Sequence, residues 1–373
     1  MEAFIVSARK YRPGTFETVV GQTHITRTLR NALKTGQLAH AYLFCGPRGV
    51  GKTTCARILA KAVNCVHLTP DGDPCNECPS CVAFNEGRSL NIFELDAASN
   101  NGVDDIRGLI DRLRFIPQGG SRSVYIIDEV HMLSTAAFNA FLKTLEEPPA
   151  HALFILATTE KHKILPTILS RCQKFDFKRI KIEEIIGQME RIAQRENIAY
   201  ERDALYLIAQ KADGGMRDAL SIFDQMVNFG NKNVTYAVVL DNLSILDHDY
   251  FFRATDYMLA KDHAALLLLL NEIYEKGFDG LSFLQGLVEH FRNLLVAQQT
   301  QTLELLETTE TARQKYLQQV KSLTPTLLLN AFHLSSEVES NFRTSTSPRL
   351  QLELLLIKLA HLSSAIEVAE KKK

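Results

Sequence analysis

Gly46, Gly51, Lys52 and Thr53 stand at the spacing G-x-x-x-x-G-K-[ST] inside AYLFCGPRGVGKTTCARILAKA, residues 41–62. Glycines there let main-chain N–H groups approach a phosphate closely, and the lysine brings a positive charge to the β- and γ-phosphates. The hydroxyl of Thr53 suits Mg²⁺. Such a pattern also arises by chance, so its flanks must supply a strand and then a helix. Residues 41–45 read as a short buried strand, and Ala56, Leu59, Ala60 and Val63 recur at helical spacing over 53–63. Arg48, Gly49 and Val50 complete the loop after Pro47, which has no N–H to offer, and Thr54 continues the first helical turn. Phosphates would then sit at the positive end of that helix.

A triphosphate site needs an acidic partner, and Asp128 and Glu129 close the apolar run VYIIDE about 75 residues later. Asp128 would orient Mg²⁺ and Glu129 would polarise an attacking water. At the end of the next apolar run, ALFILATT, the hydroxyls of Thr158 and Thr159 could sense a γ-phosphate or simply cap the strand. Arg171 follows ILPTILS, and Arg217 lies in GGMRDAL. An arginine near a sheet is ordinarily a surface ion pair; in phosphoryl transfer it can stabilise transition-state charge across a subunit boundary. Tyr11, Arg12, Pro13, Val19 and Val20 belong to a polar, proline-containing arm at 7–20 that either lies beside a nucleotide base or packs as an arm. The residues leave both readings open.

Cys65, Cys75, Cys78 and Cys81 give C-x9-C-x2-C-x2-C among turn formers Pro70, Gly72, Pro74 and Pro79. Four thiolates at short spacing suit tetrahedral Zn²⁺ in a structural role. Iron–sulfur and redox-dithiol readings stay open beside it. Cys45, Cys55 and Cys172 fall outside the pattern and read as buried thiols.

The elements that must position these groups follow an α/β rhythm. Strand signals recur at 91–95, 123–127, 152–158 and 174–177, with helical stretches at 103–115 and 134–147. Continuous apolar strands alternating with helices predict a parallel sheet covered on both faces. From 180 the pattern turns helical without strands (182–197, 201–212, 216–229), a small lid. From 236 it is leucine-rich helix at 264–274, 281–298, 325–341 and 349–366. The expected domains are 1–179 with the cysteine module at about 64–82, 180–235, and 236–373.

A chain of 373 residues has room for that plan. Its net charge of −1 argues neither for nor against nucleic acid, so any basic surface must come from the fold. MEAFIVSARKYRPG does not read as a secretion signal, and the longest purely apolar run, 264–270, falls far below the ~18 residues of a membrane span. The expectation is a cytoplasmic protein without a membrane partner. The lysines at 371–373 read as a solvated end or a cut point before a linker.

KYRPGTFETVVGQ, CGPRGVGKTT, the four-cysteine insert, DEVHMLS, LEEPP, ILATTE, LSRC and GGMRDAL stand in the order found in bacterial clamp-loader ATPases, and the chain resembles the gamma/tau family of DNA polymerase III. The specific motifs run from about residue 8 to 229; the likeness continues more loosely beyond. It implies an AAA+ P-loop domain with a zinc module, a helical lid and a helical collar. It implies ATP on 46–54, Mg²⁺ on Thr53 and Asp128, and hydrolysis through Lys52, Asp128 and Glu129. Thr159, or else Thr158, would be the first sensor, and Arg217 the second, acting on ATP of its own subunit. Arg171 would reach a neighbour's ATP. Zn²⁺ would sit on Cys65, Cys75, Cys78 and Cys81.

The implied partners are copies of this chain with delta and delta-prime in a five-membered ring, a sliding clamp, and primer–template DNA held by its backbone. The longer tau form adds C-terminal contacts to helicase and polymerase core, to which nothing here corresponds; this reads as a shortened chain or the gamma-like part. Polymerisation itself is not expected. An ATP-binding scaffold and a related AAA+ motor or helicase are the competing readings.

Overall fold

The structure is a computed structural model that describes residues 6–113, 115–117 and 122–370. The readings placed on 1–5 and 371–373, and residue 114 of the expected helix at 103–115, lie outside the described residues. Two compact units divide the chain: 1–198 with 208–228, and 199–207 with 229–373.

The first unit is built on five strands, β1 (Ala41–Cys45), β2 (Ile92–Asp96), β3 (Ser123–Asp128), β4 (Ala152–Thr158) and β5 (Gln173–Asp176). They form one parallel sheet in the order β2-β3-β4-β1-β5. All five residues of β1 and all seven of β4 are buried, as strands covered on both faces must be. Successive side chains alternate between two cores. Tyr42, Phe44, Val124 and Ile155 pack with Leu29 and Leu59 from the helices Thr23–Thr35 and Lys52–Val63. Leu43, Tyr125, Phe154 and Leu156 pack on the opposite face with Ile106 and Phe141, from the helices Val103–Arg112 and Thr135–Glu146.

This order has a functional consequence. β4 runs between β1 and β3, with Cys45 in register with Thr158 and Ile127 with Leu156. The glycine loop after β1, the threonines after β4 and the acidic pair after β3 therefore share the carboxyl edge of the sheet.

Helices Ile182–Glu196, Arg202–Lys211 and Met216–Phe229 follow as expected. One expectation fails. The helical region is not free of strands, because β6 (Ala199–Tyr200) pairs in parallel with β7 (Asn233–Val234). Two-residue strands carry no periodicity, so only their partner reveals them.

The second unit is otherwise helical. Leu284, Leu287, Phe291 and Leu294 of Gly280–Ala297 are buried with Leu328 and Ala331 of Pro325–Phe342 and Leu352, Leu355, Leu356 and Leu359 of Pro348–Glu370. Among the described residues, no helix is long and apolar enough to cross a membrane.

His290 lies inside this helical core. Nδ1 is 3.0 Å from the Tyr316 hydroxyl and Nε2 is 3.3 Å from Gln319 Oε1. Burial, helped by the neighbouring His248, pushes its pKa down to about 3. The fold thus holds His290 neutral while the unfolded chain protonates it near pH 6.5, so this contribution is complete above 6.5 and is lost as pH falls toward 3. Acidification from pH 7 to 5 should cost about 2 kcal/mol through this residue. Urea midpoints of wild type and His290→Asn at both pH values check it: the variant should start lower and lose clearly less on acidification.

Candidate nucleotide site and cysteine centre

The loop after β1 takes its shape from two glycines. Gly46 has φ +147°, and a Cβ there would lie 2.5 Å from the Phe177 carbonyl oxygen. Gly49 has φ +75°, and a Cβ there would come within 3.2 Å of the Gly215 Cα. The Arg217 N–H donates to the Gly49 carbonyl at 3.4 Å, so the start of helix Met216–Phe229 is fastened to the loop. Val50 is buried.

Lys52 is 5% exposed, and its ammonium donates to the carbonyls of Gly46 at 2.8 Å and Pro47 at 2.7 Å. Burial lowers its pKa, opposed by the nearby carboxylates of Glu129 and Asp128. The Thr53 hydroxyl donates to Asp128 Oδ2 at 2.6 Å, and Asp128 Oδ1 accepts the Glu129 N–H at 3.0 Å. Glu129 adopts φ +48°, uncommon for a residue with a Cβ and costing about 1–3 kcal/mol. The turn aims its carboxylate across β4. There Oε2 accepts the Thr159 hydroxyl at 3.0 Å and the Thr159 N–H at 3.2 Å.

The two threonines are thereby distinguished. Thr159 faces Glu129, while the buried Thr158 hydroxyl lies 3.0 Å from His131 Nδ1 and accepts the Glu160 N–H at 3.0 Å. His131, only 6% exposed at its side chain, stands 3.4 Å from Glu129 Oε2 through Nδ1 and 3.1 Å from Glu160 Oε2 through Nε2. Sequence reasoning passed over His131 and Glu160. The signal was a histidine two residues after Glu129 and a carboxylate directly after Thr159.

The N-terminal arm lies against this loop and its helix. Arg12 Nε donates to Thr54 Oγ1 at 3.2 Å; burial lowers the guanidinium's pKa, Arg57 adds to that, and Asp128 opposes it. The Tyr11 hydroxyl and the Lys10 ammonium both hold Glu196, and the Ser7 N–H donates to Asp224 at 2.6 Å. Val19 packs on the core beside the loop, while Pro13 and Val20 are half-buried. Gln22, fully buried, was not anticipated. Its amide donates to the Lys178 carbonyl at 2.7 Å and the Val50 carbonyl at 3.4 Å, stitching arm, loop and the chain after β5 together.

Two predicted site residues are placed differently from the rest. Arg171 donates to the Thr167 carbonyl at 2.7 Å and pairs with Glu146 at 2.8 Å, partly exposed. The Arg217 backbone meets the loop, and its charge is felt by Arg12.

The Sγ atoms of Cys65, Cys75, Cys78 and Cys81 all lie within 4.8 Å of one another. Cys65–Cys75 is 3.5 Å, and Cys75–Cys81 and Cys78–Cys65 are each 4.0 Å. Sulfurs ~2.3 Å from a tetrahedral metal stand roughly 3.8 Å apart, so the donor set fits Zn²⁺. N–H groups converge on it: Cys75 N on Cys65 Sγ at 3.4 Å and Cys78 N on Cys75 Sγ at 3.3 Å. Burial raises the Cys78 thiol, but N–H donors from Val66 and Cys81 outweigh it and bring the pKa down to about 6. Asp73 docks the module on the sheet domain by accepting the Phe16 N–H at 2.6 Å and pairing with Arg30. Cys45, Cys55 and Cys172 are buried thiols, as expected.

Comparison with known proteins agrees with this architecture. The family described as DNA polymerase III, delta subunit, matches residues 21–181, and the DNA polymerase III clamp loader subunit ATPase lid domain matches 184–232. The domain III family of DNA polymerase III subunits gamma and tau matches 234–373. DNA polymerase III subunit tau of Bacillus subtilis (strain 168) is 42% identical over 364 residues, 97% of this chain and 64% of that protein. The tau subunit of Escherichia coli (strain K12) is 45% identical over 277 residues, 74% of this chain and 43% of its own length. Subunit gamma of Buchnera aphidicola subsp. Baizongia pistaciae (strain Bp) is 44% identical over 269 residues, 72% of each chain. The chain thus spans less than two thirds of the tau proteins it matches. On the cysteine centre, the sheet edge and these identities together, the chain belongs to the DNA polymerase III gamma/tau family of clamp-loader subunits.

Proposed function

We propose that this chain is an ATPase subunit of a replicative clamp loader, working in the cytoplasm with copies of itself and with delta and delta-prime subunits. ATP binding between subunits favours a ring that grips a sliding clamp and primer–template DNA; hydrolysis releases both. The observation that carries the reading is the paired contact at the sheet edge: Thr53 on Asp128 at 2.6 Å and Thr159 on Glu129 at 3.0 Å, beside a buried Lys52.

Residues 46–54 bind the phosphates, with Tyr11, Arg12, Pro13, Val19 and Val20 toward the base. Thr53 and Asp128 would hold Mg²⁺, which when bound neutralises charge on the phosphates. Glu129 orients and polarises the attacking water, and its hydrogen bonds from Thr159 make that threonine the better candidate for reporting the γ-phosphate. Arg217 acts on the same subunit's ATP, and Arg171 on a neighbour's. DNA is held through its backbone, so binding is salt-sensitive and nearly sequence-blind. The domain bounds 1–179, 180–235 and 236–373 serve as nucleotide, lid and collar regions.

ATP turnover of the assembled particle, with and without clamp and primed DNA, tests this. DNA should stimulate turnover, and Arg171→Ala should lower the stimulated rate by roughly 10³-fold with nucleotide binding near normal. Turnover indifferent to DNA would favour a scaffold, and strand unwinding a motor. Equal loss in an isolated monomer would remove the role across the subunit boundary.

A further inference from the structure

Lys61, like Lys52, is a buried lysine among the described residues, 4% exposed, and it lies nine residues along the helix that begins at Lys52. Lysine is almost never fully buried unless something holds its charge. Here the ammonium donates to Asn76 Oδ1 and, at 3.2 Å, to Asn85 Oδ1. These are neutral amides, not carboxylates. Their positions matter more than their chemistry. Asn76 is the left-handed residue (φ +62°) of the turn between Cys75 and Cys78, and Asn85 ends the helix Pro79–Asn85, which carries Cys81. One cation thus ties together the two segments that supply three of the four sulfurs.

Burial lowers the pKa of this ammonium, and the charges opposing that loss come from Cys81, Cys65 and Cys75. Four thiolates around a divalent ion leave a net charge of −2, which a half-buried module must offset. The backbone N–H groups on the sulfurs supply dipoles, but Lys61 supplies a whole charge.

We propose that Lys61 is a positioning residue of the cysteine centre, whose ammonium offsets the tetrathiolate charge and locks the Cys75–Cys78 turn to the Cys81 helix. This rests on reading the four cysteines as a metal site. Outer partners of this kind commonly change metal affinity 10- to 100-fold.

The test uses the full chain loaded with Zn²⁺ or Co²⁺, comparing wild type with Lys61→Met and with Lys61→Gln, which keeps a donor but no charge. In competition with a chromophoric chelator, both variants should bind Zn²⁺ about 10- to 100-fold more weakly. With Co²⁺, the sulfur-to-metal absorption bands should shift, a change that general loosening of the fold would not produce. Circular dichroism at saturating Zn²⁺ checks that each variant is folded, and Lys61→Gln, close to lysine in shape, stands in if Lys61→Met is not. Zinc affinity within twofold of wild type in a folded variant overturns the inference while leaving the metal site intact. Full rescue by Lys61→Gln overturns the charge argument. A wild-type chain that takes up neither metal overturns the site reading and the inference with it.

Discussion

A Lys52→Ala chain should lose ATP affinity by roughly 10²- to 10⁴-fold while keeping its fold. The loop that carries this lysine is shaped by backbone, through Gly46 against Phe177 and Gly49 against Gly215, so removing the side chain leaves the cradle standing. What goes is the ammonium, now held by the carbonyls of Gly46 and Pro47 and free to exchange these for two phosphates. Hydrogen bonds to charged groups are worth about 1.5–3 kcal/mol each, so two of them give ~3–6 kcal/mol, which sets the expected range in Kd. Fluorescent-nucleotide titration measures the loss, and a thermal unfolding midpoint without nucleotide separates it from instability. Tight binding by the variant would mean that the loop is not the phosphate site.

Metal removal should have the other large effect. Elemental analysis of the purified chain should find about one zinc per polypeptide; iron, or no metal, would overturn the assignment. Stripping the metal, or changing Cys81 to Ser, should unfold 65–85 locally, because the module buries few apolar groups of its own beyond Cys78, Cys81 and Phe84. Structural zinc supplies on the order of 10 kcal/mol of local folding free energy. The damage should spread along defined contacts. Asp73 holds the Phe16 N–H and Arg30, so hydrogen exchange should rise in the arm and in helix Thr23–Thr35 as well. Unchanged exchange at 65–85 in metal-free protein would show the module to be self-supporting.

How far the residues alone reach depends on the range of the interaction. β1 and β4 were legible because burial on both faces writes an unbroken apolar run, and the glycine loop because its geometry is local. The cysteine centre was legible for the same reason: its ligands span only 65–81. Thr158 and Thr159 are neighbours of the same type, and only the turn of Glu129 at φ +48° decides which meets the carboxylate. Gln22 answers to Lys178, 156 positions away, and no periodicity records such a pairing. The β6–β7 pair and Lys61 escaped for like reasons, a two-residue strand having no pattern and a lysine on a helix looking solvated.

The chain passes between its two compact units at 198, at 207 and again at 228. Shortening it at any one of those points therefore cannot deliver both units whole. A piece ending at 207 forfeits 208–228 from the first, and a piece starting at 229 leaves β7 without β6, its only pairing strand among the described residues. Fragments for crystallography or for complementation would need to be cut so that 199–234 travels intact, or else be rejoined from two polypeptides expressed together.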